Sequence, residues 1–423
     1  MQTHQDTTGH ELNSRFNVKY LIIDFSCGRF FTHHSSYLKD YESFLSKAGF
    51  VPEVWVNSSA DAEVLEFIGR NTKRISASPL YYHTKESNLT RFVLNKLISV
   101  FFSNKIIAKI QPDILERLKS LVANVYLFVA YRELNRLSRE FEKVRIVFPT
   151  LDALGLRFSA KILGNPKFNV DLISLRLTGA EKRGSLSITN GELVLKSLCK
   201  KFPGKIRIGY EVKSYEKRLL DFGVNSNVTY WAPMPHIERI SNLNTTTTNA
   251  TVKYRIGFLG SARKNKGFDE IPSMLASIIS AGIDFQAFIQ LPKFEWFQGN
   301  KTITRLNSEF KNYITFVPSA SSKELIDNTI ASMDLLILPY TVADYKYAGS
   351  GILFIASDFK VPVVTNSKMA FAWDIENFGI GITYNDNIEI PQTLVKCHSK
   401  KTSELIDSYN IARNLANKQF LSF

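Results

Sequence analysis

The sequence predicts two tandem α/β domains, each built on a doubly wound parallel sheet, and three observations lead to this prediction. Short runs rich in β-branched or aromatic residues alternate with longer helical patterns, which is typical of βα units. The alternation stops at a polar run rich in Asn and Thr, residues 240–251, and then restarts. The length of 423 residues, of which 44% are hydrophobic, is enough for two or three domains that each bury a core.

The apolar runs define the expected strands, and the amphipathic stretches between them define the expected helices. In the first half we expect strands at residues 19–25, 54–56, 145–148, 172–175, 205–210 and 228–231, and helices at 36–48, 89–110, 113–139, 192–201 and 212–222. The second half repeats this order. We expect strands there at 254–259, 285–289, 314–317, 335–338 and 361–365, and helices at 271–281, 322–331, 351–358 and 402–423.

This pattern divides the chain into five parts. We expect a polar tail over residues 1–17, a first domain over 18–239, a linker over 240–252, a second domain over 253–400 and a closing helix over 401–423. In doubly wound folds, ligands bind at the carboxyl ends of the strands. A cleft between the two sheets is therefore the expected site.

The excess of positive charge lies in the first half of the chain. The formal net charge is +14, and residues 1–235 carry 34 basic and 22 acidic side chains, which gives +12. Residues 89–110 combine an apolar face with four basic side chains, Arg91, Lys96, Lys105 and Lys109. This pattern is typical of a helix on an anionic membrane surface, and a core helix with a solvated basic side has the same pattern. The sequence has no nucleic-acid-binding motif, so nucleic acid is not an expected partner.

The three cysteines, Cys27, Cys199 and Cys397, lie far apart and form no Cys-x-x-Cys pair. This spacing indicates a reducing compartment and gives no support to a zinc site. The N-terminal residues lack the apolar core of a signal peptide, and the longest mainly apolar run, residues 121–131, is about half of the ~20 residues that span a bilayer. We therefore expect a cytoplasmic protein, and peripheral contact with the inner face of the cytoplasmic membrane is an open alternative.

The first candidate anion site follows the predicted strand at residues 254–259. Gly260 permits a tight turn, and Arg263 and Lys266 lie three residues apart, just before Gly267. Two cations at this spacing can converge on one anion, and a diphosphate is the natural ligand. A solvated basic loop after a strand is the alternative interpretation.

A second candidate anion site follows the predicted strand at residues 335–338. An apolar helix opens there with Gly349, Ser350, Gly351 and Ile352. Free backbone N–H groups at such a helix start can bind an anion without a charged side chain. The alternative is an ordinary strand, turn and helix with Ser350 as the N-cap residue. Two such loops in one domain together favour a binding site.

In order and spacing, these segments resemble the C-terminal domain of GT-B glycosyltransferases, particularly the family 4-like enzymes of polysaccharide assembly that use nucleotide sugars. The resemblance covers residues 255–366 and includes the glycine, the basic pair and the Lys-Gly of the first loop. It also includes an aspartate with an apolar strand that ends at Pro339, the glycine-rich loop, and a Pro-Val-Val strand at 362–364. It implies two Rossmann-like domains in a GT-B-like arrangement, with the acceptor domain first and the donor domain second.

The sequence departs from this family at two positions of the glycine-rich loop. Many of these enzymes carry glutamates there that contact the donor sugar and the ribose, whereas this chain has Tyr347 and Ile355. Some polysaccharide-assembly relatives have a Ser-Gly-Ile/Val loop preceded by Tyr, which this chain resembles. The resemblance further implies that the nucleobase and the sugar are bound beside Pro318, Ser319 and Tyr347. A strand end with a proline turn is the alternative interpretation of Pro318 and Ser319.

Candidates for a general base come from the first domain. Asp24 ends the first strand, and His33, with His34, is expected in a loop before a helix. A carboxylate and imidazoles at the carboxyl end of a strand can accept the proton of an acceptor hydroxyl. Asp152 and Glu211 follow later strands and are candidates for the same reason. A capping or ion-pair role for Asp24 and a solvated loop for the histidines are the alternatives.

The expected function is transfer of a hexosyl or pentosyl group from a nucleotide-sugar donor to a hydroxyl of a glycan acceptor, which is expected to be lipid-linked. No metal or cofactor is expected, because the two loops supply positive charge and the sequence has no Asp-x-Asp motif. The alternatives are a nucleotide-sugar epimerase with the same fold and a non-catalytic scaffold at an anionic membrane.

Overall fold

Two parallel β-sheets organise the chain in the computed structural model. One unit comprises residues 1–209 and 219–230, and the other comprises residues 210–218 and 231–423. The structure describes residues 18–25, 27, 33–57, 60–76, 127–150, 153–173, 191–236, 254–260, 262–291, 299–318, 323–397 and 401–421.

The first sheet has seven strands in the order β3-β2-β1-β4-β5-β6-β7. The strands are β1 (Val18–Asp24), β2 (Glu53–Asn57), β3 (Thr72–Ser76), β4 (Lys143–Phe148), β5 (Phe168–Leu172), β6 (Ile206–Tyr210) and β7 (Thr229–Trp231). The helices are α1 (His33–Lys47), α2 (Ala62–Ile68), α3 (residues 127–140), α4 (Ala153–Ile162), α5 (Gly191–Lys201) and α6 (Lys213–Asp221).

The second sheet has six strands in the order β10-β9-β8-β11-β12-β13. The strands are β8 (Tyr254–Phe258), β9 (Phe285–Leu291), β10 (Ile314–Pro318), β11 (Leu335–Leu338), β12 (Val363–Asn366) and β13 (Gly381–Tyr384). The helices are α7 (Ile271–Ser280), α8 (Lys301–Glu309), α9 (Lys323–Ala331), α10 (Val342–Tyr345), α11 (Gly351–Asp358), α12 (Ala372–Phe378), α13 (Ile390–Cys397) and α14 (Lys401–Leu421).

Both sheets have the strand order of the Rossmann fold. Counted from its own first strand, each sheet runs 3-2-1-4-5-6, and the first sheet adds a seventh strand. The central strand β11 is buried at every residue, as expected for a parallel strand with both faces covered. The predicted fold class, two Rossmann-like doubly wound domains, is therefore confirmed.

Several elements differ from the prediction. The strand expected at residues 172–175 lies at Phe168–Leu172, because Asp171 interrupts its apolar pattern and buried carboxylates are rare. The edge strand β3 was not predicted, since Lys73 and Arg74 give it the charge that is common on exposed edges. His33 begins α1 and does not lie in a loop before the helix as expected. The predicted tail, linker and basic helix at 89–110 lie outside the described residues.

A buried carboxylate joins four neighbouring strands of the first sheet. Asp171 on β5 accepts hydrogen bonds from Arg145 on β4 and from Arg207 on β6, each at 2.7 Å. The hydroxyl of Tyr230 on β7 donates to the same carboxylate at 3.4 Å. Asp171 and Arg145 are nearly inaccessible to solvent, so each charge depends on the other for compensation.

We expect Asp171→Asn to lower the free energy of unfolding by about 3–5 kcal/mol, because it removes the carboxylate that compensates the buried guanidinium of Arg145. Urea denaturation followed by circular dichroism measures the change. The matched control is Glu140→Gln, which breaks an exposed pair with Arg136 and should cost less than about 1 kcal/mol. Equal losses of free energy of unfolding in the two variants would show that the buried contacts of Asp171 do not stabilise the protein.

The closing helix α14 is anchored to the second unit by a fully buried arginine. The guanidinium of Arg413 donates to the carboxylate of Asp358 at 2.8 Å and to the carbonyl oxygen of Phe354 at 3.2 Å, both on α11. It also donates to the carbonyl oxygens of Met234 and Pro235. Asp358 lies in addition 2.7 Å from the Nδ1 atom of His236. These contacts fix the carboxyl end of α11 and therefore position its amino end.

Candidate functional site

The first glycine loop, residues 259–270, follows the carboxyl end of β8. Gly260 has a φ angle of +126°, and its N–H donates to the side-chain oxygen of Gln290 at 2.7 Å. Two short 3₁₀ turns follow, and Gly267 stands between them in the left-handed conformation, with a φ angle of +69°. Arg263 is exposed, whereas Lys266 is partly buried. The loop thus presents one cation to solvent and holds the other against the protein.

The second glycine loop, residues 339–350, follows β11, which is the neighbour of β8 in the sheet. Its first residue packs against the first loop, since a Cβ atom on Gly267 would overlap with the carbonyl oxygen of Pro339. The N–H of Thr341 donates to the carbonyl oxygen of Asn265 at 3.2 Å. The two loops predicted as separate anion sites are therefore in direct backbone contact.

The side chain of Lys266 bridges the two loops. Its ammonium nitrogen lies 3.7 Å from the ring centroid of Tyr340 and 4.5 Å from that of Tyr345. The two rings contact each other, with their centroids 4.5 Å apart, and both pack near the buried ring of Phe371. Lys266 is thus held on an aromatic surface that belongs to the second loop.

The amino end of α11 faces this junction. Ser350 occupies the N-cap position, but its side chain makes no capping hydrogen bond. Its hydroxyl instead donates to the hydroxyl oxygen of Tyr340 at 3.3 Å. The hydroxyl of Ser350 therefore does not occupy the first N–H groups of α11, which remain suited to an anion from a ligand.

Two adjoining pockets lie beside the loops. One is lined by residues of both loops, including Gly260, Lys266 and Tyr340. The other is lined mainly by apolar side chains, including Val317, Pro318 and Ile352. Both pockets share Leu259 and Gln290, so they adjoin at the ends of β8 and β9. Lys266 gives the first pocket a positive charge, and the second pocket has a mainly apolar lining.

Glu211 lies against the second glycine loop. A Cβ atom on Gly349 would lie 2.7 Å from a carboxylate oxygen of Glu211, which is only 7% exposed. Asp374 on α12 is nearby and is also buried. Burial raises the pKa of Asp374 to about 8, against an opposing effect of Arg413, and the charge of Glu211 adds to the increase. Burial therefore favours the protonated form of Asp374.

The ring of Tyr347, a residue predicted to lie beside the sugar, is close to a guanidinium. Arg218 is 4.6 Å from its ring centroid, and the ammonium of Lys346 is 5.4 Å away. The hydroxyl of Ser214 donates to the carbonyl oxygen of Lys346 at 3.1 Å. The second glycine loop thus carries at this position an aromatic ring beside two cations.

The structure describes only some of the candidate bases of the first domain. Asp24 ends β1 at 1% exposure, and the hydroxyl of Thr150 donates to its carboxylate. The carboxylate of Asp24 is thus buried and held by a neighbouring hydroxyl. Asp152, Ser319 and the side chain of His33 lie outside the described part of the chain, as do the four basic residues of the predicted membrane helix.

Sequence reasoning missed two features of this site. Gln290, which holds Gly260, is a polar residue at the carboxyl end of a strand beside β8, and that position is a signal for a ligand site. The aromatic surface formed by Tyr340 and Tyr345 has no comparable local signal. Within the described residues, no group of three acidic, histidine or cysteine side chains is placed to hold a metal ion.

We expect Gly267→Ala to be far more damaging than Gly282→Ala, although the two glycines have nearly the same φ angle, +69° and +70°. Gly282 has open space around it, so the alanine there costs only the strain of the left-handed conformation, about 1–2 kcal/mol. The alanine at Gly267 must also displace Pro339, which should cost about 2 kcal/mol more. Urea denaturation and calorimetric titration with UDP measure stability and binding. Similar losses of stability and of UDP binding in both variants would contradict the close contact between the two glycine loops.

No protein-family model matches the chain, and no curated protein matches it significantly. Solved structures do match over nearly its whole length. A glycosyltransferase from Rickettsia africae aligns with 96% of this chain and 97% of its own at 12% identity and a TM-score of 0.58. Anabaena HepE in complex with UDP aligns with 96% of this chain and 99% of its own at 13% identity and a TM-score of 0.59.

A third match is WaaG, a glycosyltransferase involved in lipopolysaccharide biosynthesis. It aligns with 94% of this chain and 95% of its own at 12% identity and a TM-score of 0.51. These identities are low, so the matches establish architecture alone. Together with the strand order of both sheets, they show that the chain has the GT-B fold, with two Rossmann-like domains.

Proposed function

We propose that the chain is a glycosyltransferase that moves a sugar from a nucleotide-sugar donor to a hydroxyl of a glycan acceptor. The observation that carries this proposal is the junction of the two glycine loops beside two adjoining pockets, one basic and one apolar. Such a site suits a nucleoside diphosphate. Further support comes from the fold neighbour HepE, which is solved with UDP and with UDP-glucose.

In this reaction the bond between the anomeric carbon and a phosphate oxygen breaks, and a bond forms between that carbon and the acceptor oxygen. Negative charge develops on the departing diphosphate. Arg263, Lys266 and the N–H groups at the start of α11 are the groups that would stabilise it, and fixed cations and dipoles are effective because they need no rearrangement. Because these groups supply the positive charge, we propose a metal-independent mechanism.

The acceptor hydroxyl loses its proton during transfer. If the reaction inverts the anomeric configuration, Asp24, His33 or Asp152 is proposed to accept that proton. If it retains the configuration, the departing phosphate oxygen can accept the proton. Proton NMR of the product distinguishes the two cases, since it reports the anomeric configuration directly.

We expect the double variant Arg263→Ala and Lys266→Ala to lower the transfer rate on the order of 100- to 1,000-fold, because it removes both cations that are proposed to stabilise the leaving group. The assay is sugar transfer from a radiolabelled donor. Lys264→Ala is the matched control, since this lysine is exposed in the same loop between the two. It should keep nearly full activity. Unchanged transfer in the double variant would refute the proposed site.

Calorimetric titration of the wild type with UDP, GDP, ADP and CMP separates this proposal from the alternatives. A micromolar site supports an enzyme that uses a nucleotide sugar. The absence of binding to all four would support a non-catalytic scaffold. Conversion of the donor without any acceptor would support an epimerase.

The acceptor is proposed to be lipid-linked and the protein to contact an anionic membrane. The sequence of residues 89–110 is amphipathic and basic, and the first 235 residues carry a net charge of +12. At the start of the described part of α3, Phe128 and Val129 are 65% and 43% exposed, close to the exposed Arg132. No helix among the described residues is long and apolar enough to cross a membrane. The neighbour WaaG is involved in lipopolysaccharide biosynthesis.

We expect the protein to bind vesicles that contain anionic lipid, and added salt should weaken this binding because it screens the charges. A variant with Arg91, Lys96, Lys105 and Lys109 replaced by Gln should lose most of it, at about 1 kcal/mol per basic residue. The control replaces four exposed lysines of the second unit, Lys301, Lys311, Lys396 and Lys418, and removes the same charge. Equal losses in vesicle sedimentation would assign the binding to net charge alone.

A further inference from the structure

Tyr340 contacts functional groups of both glycine loops at once. The centroid of its ring lies 3.7 Å from the ammonium nitrogen of Lys266, and its hydroxyl oxygen accepts a hydrogen bond from the hydroxyl of Ser350 at 3.3 Å. A Cβ atom on Gly260 would lie 3.4 Å from the same hydroxyl oxygen. The side chain is 4% exposed, so its place is set by packing and not by solvent. One rigid side chain therefore touches three of the residues assigned to the diphosphate site.

The ring holds Lys266 in a way that suits an anion site. A cation is attracted to the face of an aromatic ring by the quadrupole of the ring, and the ring carries no net charge. A carboxylate would hold the same ammonium, but it would cancel the charge that a diphosphate needs. Tyr345 adds a second ring, with its centroid 4.5 Å from the ammonium, so the ammonium lies beside two aromatic rings that contact each other.

The hydroxyl acts at the other loop. Ser350 is the residue from which α11 begins, and its hydroxyl is directed to Tyr340 and makes no capping bond with the helix. Burial raises the pKa of Tyr340, so the phenol stays protonated and neutral near pH 7. The start of α11 is thereby held at a fixed distance from the ring that carries Lys266.

We propose that Tyr340 is the positioning residue of the diphosphate site. Its ring places Lys266 and its hydroxyl places the start of α11, so both groups are in position before the ligand binds. Such preorganisation increases affinity because the cost of ordering the groups is met during folding. This inference rests on the proposed function, since it assigns the residue that arranges the same site.

Three variants test the two contacts separately. Tyr340→Leu removes the ring and the hydroxyl, and we expect affinity for UDP and for inorganic pyrophosphate to fall about 10-fold. Tyr340→Phe keeps the ring and should restore most of that loss, to within about 3-fold of the wild type. Tyr345→Leu removes only the second ring, at a partly exposed position, and should weaken binding about 3-fold without opening a buried cavity. The control is Tyr313→Leu, which removes a ring stacked on Phe285.

A double-mutant cycle distinguishes positioning from general destabilisation. In a Lys266→Ala background, Tyr340→Leu should cause less than a 3-fold further loss of affinity, because the ring has no ammonium left to place. Additive losses of affinity in the double variant would overturn the inference. It would also be overturned if Tyr340→Leu bound as tightly as the wild type while Lys266→Ala bound weakly. Either result would leave the proposed function intact. If the wild type binds neither UDP nor pyrophosphate nor another nucleotide, the proposed function itself is wrong.

Discussion

The close contact between the backbone of Gly267 and the carbonyl group of Pro339 is the constraint on which the candidate site depends. It brings together two loops that are far apart in the sequence but follow neighbouring strands, β8 and β11. With a larger residue in place of Gly267, the loops would separate, and Lys266 would lose the aromatic surface on which it lies. The position of the Lys266 ammonium thus depends on the absence of a side chain at the neighbouring Gly267.

The sheet order explains why the site forms at this edge. In both sheets the second and third strands lie on one side of the first strand, and the fourth strand lies on its other side. The carboxyl ends of the first and fourth strands therefore flank the switch point at which such folds bind ligands. In the second unit this switch point lies between β8 and β11, and the loops that follow these strands carry both cations and a helix start. Anchoring of α11 by Arg413 keeps that helix in place from its far end.

Much of this arrangement could be predicted from the sequence because it is local. Gly260, Arg263, Lys266 and Gly267 fall within eight residues, and the second loop is equally compact. Contacts between distant segments could not be predicted. Gln290 reaches Gly260, and Tyr340 reaches Lys266, only because of the strand order, which no short pattern encodes. The bounds predicted for β5 were wrong for another reason. A charged residue such as Asp171 is typical of a loop, and its two arginine partners lie on other strands.

The contacts of Arg413 also set an order of events during translation. This residue bonds to the carbonyl oxygen of Met234, which lies 179 positions earlier in the chain. As the nascent chain leaves the ribosome, every strand of both sheets emerges before Arg413 does. Until then α11 lacks its anchor and Asp358 lacks its guanidinium partner. The anchor at the carboxyl end of α11 can therefore form only after the strands of both sheets have been synthesised.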